Sequence, residues 1–185
     1  MLQRLFGRRN PHPEAASRLY EAAVRQAREP VFYRGFHIPD TLDGRFELIS
    51  LHVFLILHRL KDQREQTDEL AQALFDTMFA DMDRSLREMG AGDLGVGPRV
   101  KKMAQAFYGR IAAYDAGLAA ENGRLEEAVR RNLYGTVDDP GSAAVAAMSG
   151  YMRRQADILR GQDLRHIAAG QVRFAEPATQ SASES

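Results

Sequence analysis

Two sets of charged side chains and one run of glycines are the parts of this chain whose types and spacing could do chemistry. The first set is Asp76, Asp81 and Asp83. Neighbouring carboxylates can divide acid and base roles, but positions 76 and 83 are two helical turns apart, about 10 Å at roughly 1.5 Å per residue. They read as an acidic stripe, solvated or facing a partner, rather than as a catalytic pair. The second set, Arg99, Lys101 and Lys102 with Tyr108 and Arg110 alongside, is basic and lies at a helix start, where backbone N–H groups also favour an anion. Between the two, Gly90, Gly92 and Gly95 satisfy the Gly-x-Gly-x-x-Gly spacing of dinucleotide sites. That fingerprint works when a strand precedes it and a helix N-terminus receives the pyrophosphate. Here a helical pattern precedes it and Asp93 stands where it would repel phosphate, so the glycines read as a helix stop.

Other reactive types are sparse. There is no cysteine, which excludes disulfides, iron–sulfur ligation and thiol nucleophiles together. His12, His37, His52, His58 and His166 form no His-x-x-x-His or Glu-x-x-His pattern. His52 and His58 share a helix but lie roughly 120° from a common face, which suits core or edge histidines with one hydrogen bond better than metal ligands. No nucleophile elbow, Walker sequence or zinc spacing occurs. No catalytic residue, metal ligand or cofactor is expected, and the balance moves toward binding.

The charge count of 25 basic and 25 acidic residues leaves no global attraction to nucleic acid or anionic lipid. Local asymmetry is stronger. Residues 62–93 hold nine acids against three arginines, and residues 1–34 hold seven arginines against three glutamates. At 185 residues the chain suits one domain with one core.

The elements that must position these charges are helical. Apolar residues at 70, 74, 75, 78, 79, 82, 86 and 89 line one side of a helix with the acidic stripe opposite. Val100, Met103, Phe107, Ile111, Tyr114 and Leu118 repeat the pattern in a second helix, expected to start with Pro98 at its first position. The two should fold back as an antiparallel pair burying facing stripes, with Gly90 as left-handed C-cap of the first. Upstream, Pro13–Arg28 carries Ala16, Leu19, Tyr20, Ala23 and Val24 on one face, and Pro30 ends that helix. Residues 31–39 are aromatic and expected to be irregular. Asp40 or Thr41 caps a helix to Leu60 that is apolar on nearly every side, hence central. Downstream, Gly123 should stop the second helix of the pair. Helices then follow to Tyr134, from Ser142 to Leu159 and over Asp163–Ala169, with Asp138–Gly141 a turn between the first two. No alternation sustains a strand. The expected fold is all-α: a single-domain bundle of roughly six to eight helices without a sheet.

The string Phe75-Asp-Thr-Met-Phe-Ala-Asp-Met-Asp-Arg-Ser-Leu-Arg-Glu-Met-Gly90, then Asp93, Val96-Gly97 and Arg99-Val-Lys-Lys-Met-Ala-Gln-Ala-Phe-Tyr-Gly-Arg110, resembles the signature of the ubiquinol-cytochrome c chaperone family. Pro39-Asp-Thr-Leu-Asp-Gly-Arg-Phe-Glu-Leu-Ile49 and Leu51-His52 fit it too, and the similarity runs from residue 15 to 165. The resemblance implies a non-enzymatic assembly factor for the cytochrome b part of the respiratory ubiquinol-cytochrome c reductase. Its implied partners are cytochrome b or another reductase subunit and, as in mitochondrial relatives, a small helical protein. The matched residues Asp76, Asp81, Asp83, Arg99, Lys101, Lys102, Tyr108 and Arg110 are the candidate partner-binding surface.

Two other functions stay open. A small-ligand carrier or enzyme would use an inter-helix pocket with Tyr108, His52 or Arg110 as polar contacts. A nucleic-acid module would read phosphates with Arg99, Lys101 and Lys102, against which the zero net charge counts. At the N-terminus, residues 1–10 mix Leu2, Leu5 and Phe6 with Arg4, Arg8 and Arg9. They read as a basic tail that is solvated, touches an anionic membrane surface weakly, or remains from an organelle-targeting sequence. Residues 11–174 are expected to form the helical domain and residues 175–185 a disordered tail. The absence of a secretory signal points to the cytoplasm, with peripheral contact at the inner face of the membrane.

Overall fold

The computed structural model describes residues 12–90 and 92–177. Among them are eight α-helices and no strand. They are α1 (His12–Ala27), α2 (Pro30–Arg34), α3 (Leu42–Leu60), α4 (Arg64–Glu88), α5 (Asp93–Leu118), α6 (Arg124–Leu133), α7 (Ser142–Arg160) and α8 (Leu164–Ala168). A 3₁₀ turn at Lys61–Gln63 joins α3 to α4. The expected all-α bundle is the observed fold.

α3 is its axis. The Thr41 side chain starts it by accepting a hydrogen bond from the Gly44 N–H at 3.1 Å. Leu48, Leu51, Val53, Phe54, Leu55 and Ile56 are all fully buried, so every side of the helix is covered. Each such side chain contributes about 1.5–3 kcal/mol relative to exposure. On one side Val53, Ile56 and Leu60 meet α1 through Ala16, Leu19 and Ala23 and α4 through Leu70, Leu74 and Met78. On the other, Leu48, Leu51 and Leu55 share a cluster with Phe32 of α2, Phe36 beyond it, Val129 of α6, and Met148 and Tyr151 of α7. The alanines of α1 let it approach closely, and α4 packs more extensively on α1 than on α5. The α4–α5 pair does form, joined by Phe75 and Phe79 against Phe107. Its stripe on α4 is shared three ways instead of two.

Several boundaries differ from expectation. α5 begins at Asp93 behind Gly92, so Pro98 lies inside it. As the sixth residue of the helix the proline lies past the first turn, whose amides are free in any case, so it costs α5 one backbone hydrogen bond. Gly90, at φ 84°, closes α4 in the left-handed conformation as its spacing predicts. Gly123 does not stop α5, which ends at Leu118; it sits left-handed immediately before α6. Residues 31–39 are not wholly irregular, because Pro30 at the first helical position initiates α2. At the C-terminal end Ala175 is hydrogen-bonded through both N–H and carbonyl to the Gln155 side chain, so the ordered body extends past Phe174. The expectations for residues 1–10, and for the rest of the tail from 178 onward, lie outside the described residues.

Two polar groups on α3 are answered inside the core. His52 is fully buried, and its Nδ1–H donates to the Leu48 carbonyl at 2.7 Å while Nε2 accepts from the Tyr151 hydroxyl at 2.8 Å. It makes two hydrogen bonds, not the one expected. Glu47, with its side chain 10 % exposed, holds the Arg110 guanidinium of α5, itself 16 % exposed, through two hydrogen bonds. Burial pushes the Glu47 carboxyl above its ordinary range and Arg110 pulls it back. Arg110 also lies over the Phe46 ring at 5.7 Å. Arg110 therefore does not point outward as the sequence reading placed it.

Both arrangements have measurable consequences. Burial lowers the His52 pKa from 6.5 to about 4, so the fold holds the neutral ring. Its contribution to stability is complete above pH 6.5 and is lost as pH falls toward 4. At pH 5 the loss is about 2 kcal/mol, visible as a lowered urea midpoint, and His52→Gln lacks that part of the slope. Arg110→Ala strands Glu47 and costs about 3 kcal/mol in the same melts, whereas the double change Glu47→Leu with Arg110→Met recovers most of the loss.

Candidate partner-binding surface

The candidate residues separate into three groups once placed. Asp81 is drawn inward: it accepts the Tyr20 hydroxyl of α1 at 2.7 Å and pairs with Arg84. Asp83 pairs with Arg87 at 2.6 Å, the i,i+4 contact expected from spacing. Arg110 is committed to Glu47. Arg99, Lys101 and Lys102 are exposed and have no ion-pair partner among the described residues. Asp76 is exposed and among the described residues accepts only from Gln72. Tyr108 is 57 % exposed, its ring stacked on Phe75 of α4 at 5.2 Å. The structure thus leaves Asp76, Tyr108, Arg99, Lys101 and Lys102 facing outward, but α5 begins at Asp93, so the three basic residues lie in its second and third turns and not at the helix start expected from Pro98. Asp81 and Arg110 tie α4 to α1 and α5 to α3, while Asp83 makes only a pair on the outer side of its own helix.

Spacing in the sequence did not reveal a concavity between the first four helices. An open groove of about 700 Å³ runs between the corner of α1 and α2, the first half of α3 and the last half of α4. Its floor is Ala27, Phe46, Ile49 and Met82. Leu42 and Met89 both line it and are each 56 % exposed, so two large apolar side chains are open to solvent at one groove. The α4 wall from Asp81 to Met89 is about 12 Å long at the helical rise, room for two turns of a bound helix. Arg28 and Arg34 line one lip and have no ion-pair partner among the described residues; Glu88 lines the α4 side. Arg45 and Asp40 on the α3 side neutralise each other at 2.7 Å. The groove is therefore apolar along its floor, basic at one lip and acidic across from it. The available signals were Leu42 directly after the N-cap and the α4 stripe continuing to Met89, its last turn; neither says that three helices converge there.

A second, small pocket of about 170 Å³ lies between α3, α4 and α5. His58 Nδ1 meets Asp115 Oδ1 at 2.6 Å, and Lys61 Nζ meets the same oxygen at 2.8 Å. Burial works against the Asp115 charge, but the hydrogen bonds from His58 and Lys61 outweigh it and hold the carboxyl below its ordinary range. These polar atoms already answer one another. They tie α3 to α5 and do not converge on a ligand.

Residues 34–174, well over half of the chain, match the family described as Ubiquinol-cytochrome C chaperone. The chain is 29 % identical over 162 residues to the Xenopus laevis "Ubiquinol-cytochrome-c reductase complex assembly factor 1", covering 85 % of this chain and 79 % of that protein. It is 27 % identical over 149 residues to "Protein CBP3, mitochondrial" of Saccharomyces cerevisiae, covering 79 % of this chain but 44 % of the yeast protein. It spans about half the length of the mouse, fly and human relatives as well, at 54 %, 56 % and 53 %. The crystal structure of the Cbp3 homolog from Brucella abortus superposes with a TM-score of 0.79 at 39 % identity, over 90 % of this chain and 91 % of that one. The chain belongs to the ubiquinol-cytochrome c chaperone family.

Proposed function

We propose that this protein is a non-catalytic assembly chaperone for ubiquinol-cytochrome c reductase, and that its client is cytochrome b or an assembly intermediate containing it. The observation that carries the reading is family membership across residues 34–174, together with a solved relative that shares nearly the whole fold. A chaperone of this kind needs a rigid body and an apolar seat. The α3-centred core supplies the first and the groove at Leu42 and Met89 the second. An amphipathic helix lays its apolar side in such a groove and its charges along the lips, and methionines adapt to whatever surface arrives. We assign the groove to an apolar helical segment of the client. Arg99, Lys101, Lys102, Tyr108 and Asp76 on the neighbouring face meet polar parts of the client or a small helical partner protein. Among the described residues no helix is long and apolar enough to cross a membrane, so in this proposal the protein works peripherally, on the cytoplasmic side of the membrane that holds its client.

Deleting the gene should lower both assembled reductase and cytochrome b haem in membranes, and wild-type levels of both would contradict the assignment. Complementation with Leu42→Asp plus Met89→Asp should fail although the variant accumulates and melts normally, because two carboxylates in an apolar contact weaken client binding by at least about tenfold. Full rescue by that variant would place the seat elsewhere.

A further inference from the structure

The chain's last described stretch, residues 171–177, is held in an unusual way. After α8, Gly170 turns the backbone at φ 82°, with Arg18 Nε where a Cβ would stand at 2.7 Å and the Ala15 Cα at 3.0 Å, so only glycine fits the turn. Beyond it, no backbone–backbone hydrogen bond involves residues 172–177 among the described residues. Side-chain amides take that role. Gln162 donates to the Arg173 carbonyl at 2.7 Å and accepts the Arg173 N–H at 3.0 Å. Gln155, fully buried on α7, donates to the Ala175 carbonyl at 3.0 Å and accepts the Ala175 N–H at 2.9 Å. Gln26 of α1 adds a second donor to the Ala175 carbonyl at 2.9 Å. Each of the two clamps exchanges both hydrogen bonds with a single residue, which is how one strand pairs with its neighbour. Alternate residues are gripped through the main chain alone.

Between the clamps Phe174 turns inward, edge-on to His52 at 5.2 Å, and with Val172 it packs against both halves of the core. The floor beneath is polar but satisfied, since the Tyr151 hydroxyl donates to His52 and accepts from Gln26 at 3.1 Å. The specificity of the channel is therefore one aromatic or apolar side chain with a second apolar residue two positions earlier. Nothing else about the segment is read. If the segment left without replacement, the Gln155 amide would lose both protein partners and Gln26 one, and the apolar seat of Phe174 beside His52 would be opened to water. Empty opening is thus unfavourable, while exchange for another extended chain restores every bond.

We propose that the channel framed by Gln26, Gln155 and Gln162 over His52 and Tyr151 is a binding site for an extended peptide of the pattern apolar-x-aromatic. Residues 171–177 occupy it in cis, and an extended segment of a partner protein exchanges with them. The site is separate from the groove and does not depend on the assembly role. A chaperone that holds a helix in the groove gains, through the channel, a grip on unfolded chain. The tethered segment competes at high effective concentration, so the site is masked until a partner segment is presented close by.

The test uses the full-length protein and a fluorescent peptide of residues 171–177, Gln-Val-Arg-Phe-Ala-Glu-Pro. Phe174→Ala loosens the chain's own segment and leaves the channel walls intact. Anisotropy titrations should show that variant binding the peptide roughly tenfold more tightly than wild type, or better. Adding Gln155→Ala to Phe174→Ala should abolish binding. No binding to Phe174→Ala, or binding that survives Gln155→Ala, overturns the proposal. Should Phe174→Ala fail to fold, hydrogen exchange of the wild-type protein decides. The Arg173 and Ala175 amides should exchange through a local opening faster than core amides of α3, and exchange only by global unfolding would overturn exchangeability.

Discussion

A helix that is apolar on all sides has no stable place except the middle of something, and α3 imposes that condition on the rest of the chain. Leu48 to Ile56 present no face to water, so α1 and α4 must cover one side and α2, α6 and α7 the other. Three of the polar groups that α3 carries inward are answered by a distant element. His52 takes Tyr151 of α7, Glu47 takes Arg110 of α5, and Arg59 donates to the carbonyls of Leu159 and Gln162 beyond α7. These contacts are directional where apolar packing is not, and they fix which helix lies where.

The same constraint redistributes the charges that the amino-acid pattern placed on one docking face. Asp81, Asp83 and Arg110 are paired with neighbours in the chain, and what remains outward is Arg99, Lys101 and Lys102 on the second and third turns of α5, Asp76 and the stacked Tyr108. The apolar seat forms where α3 emerges from its cover. Leu42 lies just after the Thr41 cap, two residues before the first buried position of α3 at Gly44, and Met89 lies just past the end of α4, three residues after its last buried position at Leu86. A client-binding groove and a closed core are thus built from the two ends of the same stripes.

How much of this was legible in the residues depended on the range of the interaction. Local rules located α1, the Thr41 cap, α3 and the left-handed Gly90, because spacing and turn chemistry act over a few positions, whereas the turn expected at Asp138–Gly141 lies earlier, over residues 134–136. Pro98 misled because the helix already runs from Asp93, leaving the proline five residues inside it instead of at its first position. Gly123 misled for a related reason: a left-handed glycine serves the start of one helix as well as the end of another. The Glu47–Arg110 pair joins positions 63 apart and leaves no periodic trace. The glutamine clamps were invisible as well, because Gln155 and Gln162 read backbone rather than side chains and match no composition rule.

The central claim is that an apolar client segment lies against the mouth of the groove. Photo-crosslinking in growing cells tests it most directly, with a crosslinking amino acid placed at Leu42 or Met89 in one set of strains and at Glu121, on an exposed connection far from the groove lining, in another. The account predicts crosslinks from 42 and 89 to a membrane subunit of the reductase and none from 121. Equal labelling from all three positions, or from 121 alone, would contradict it.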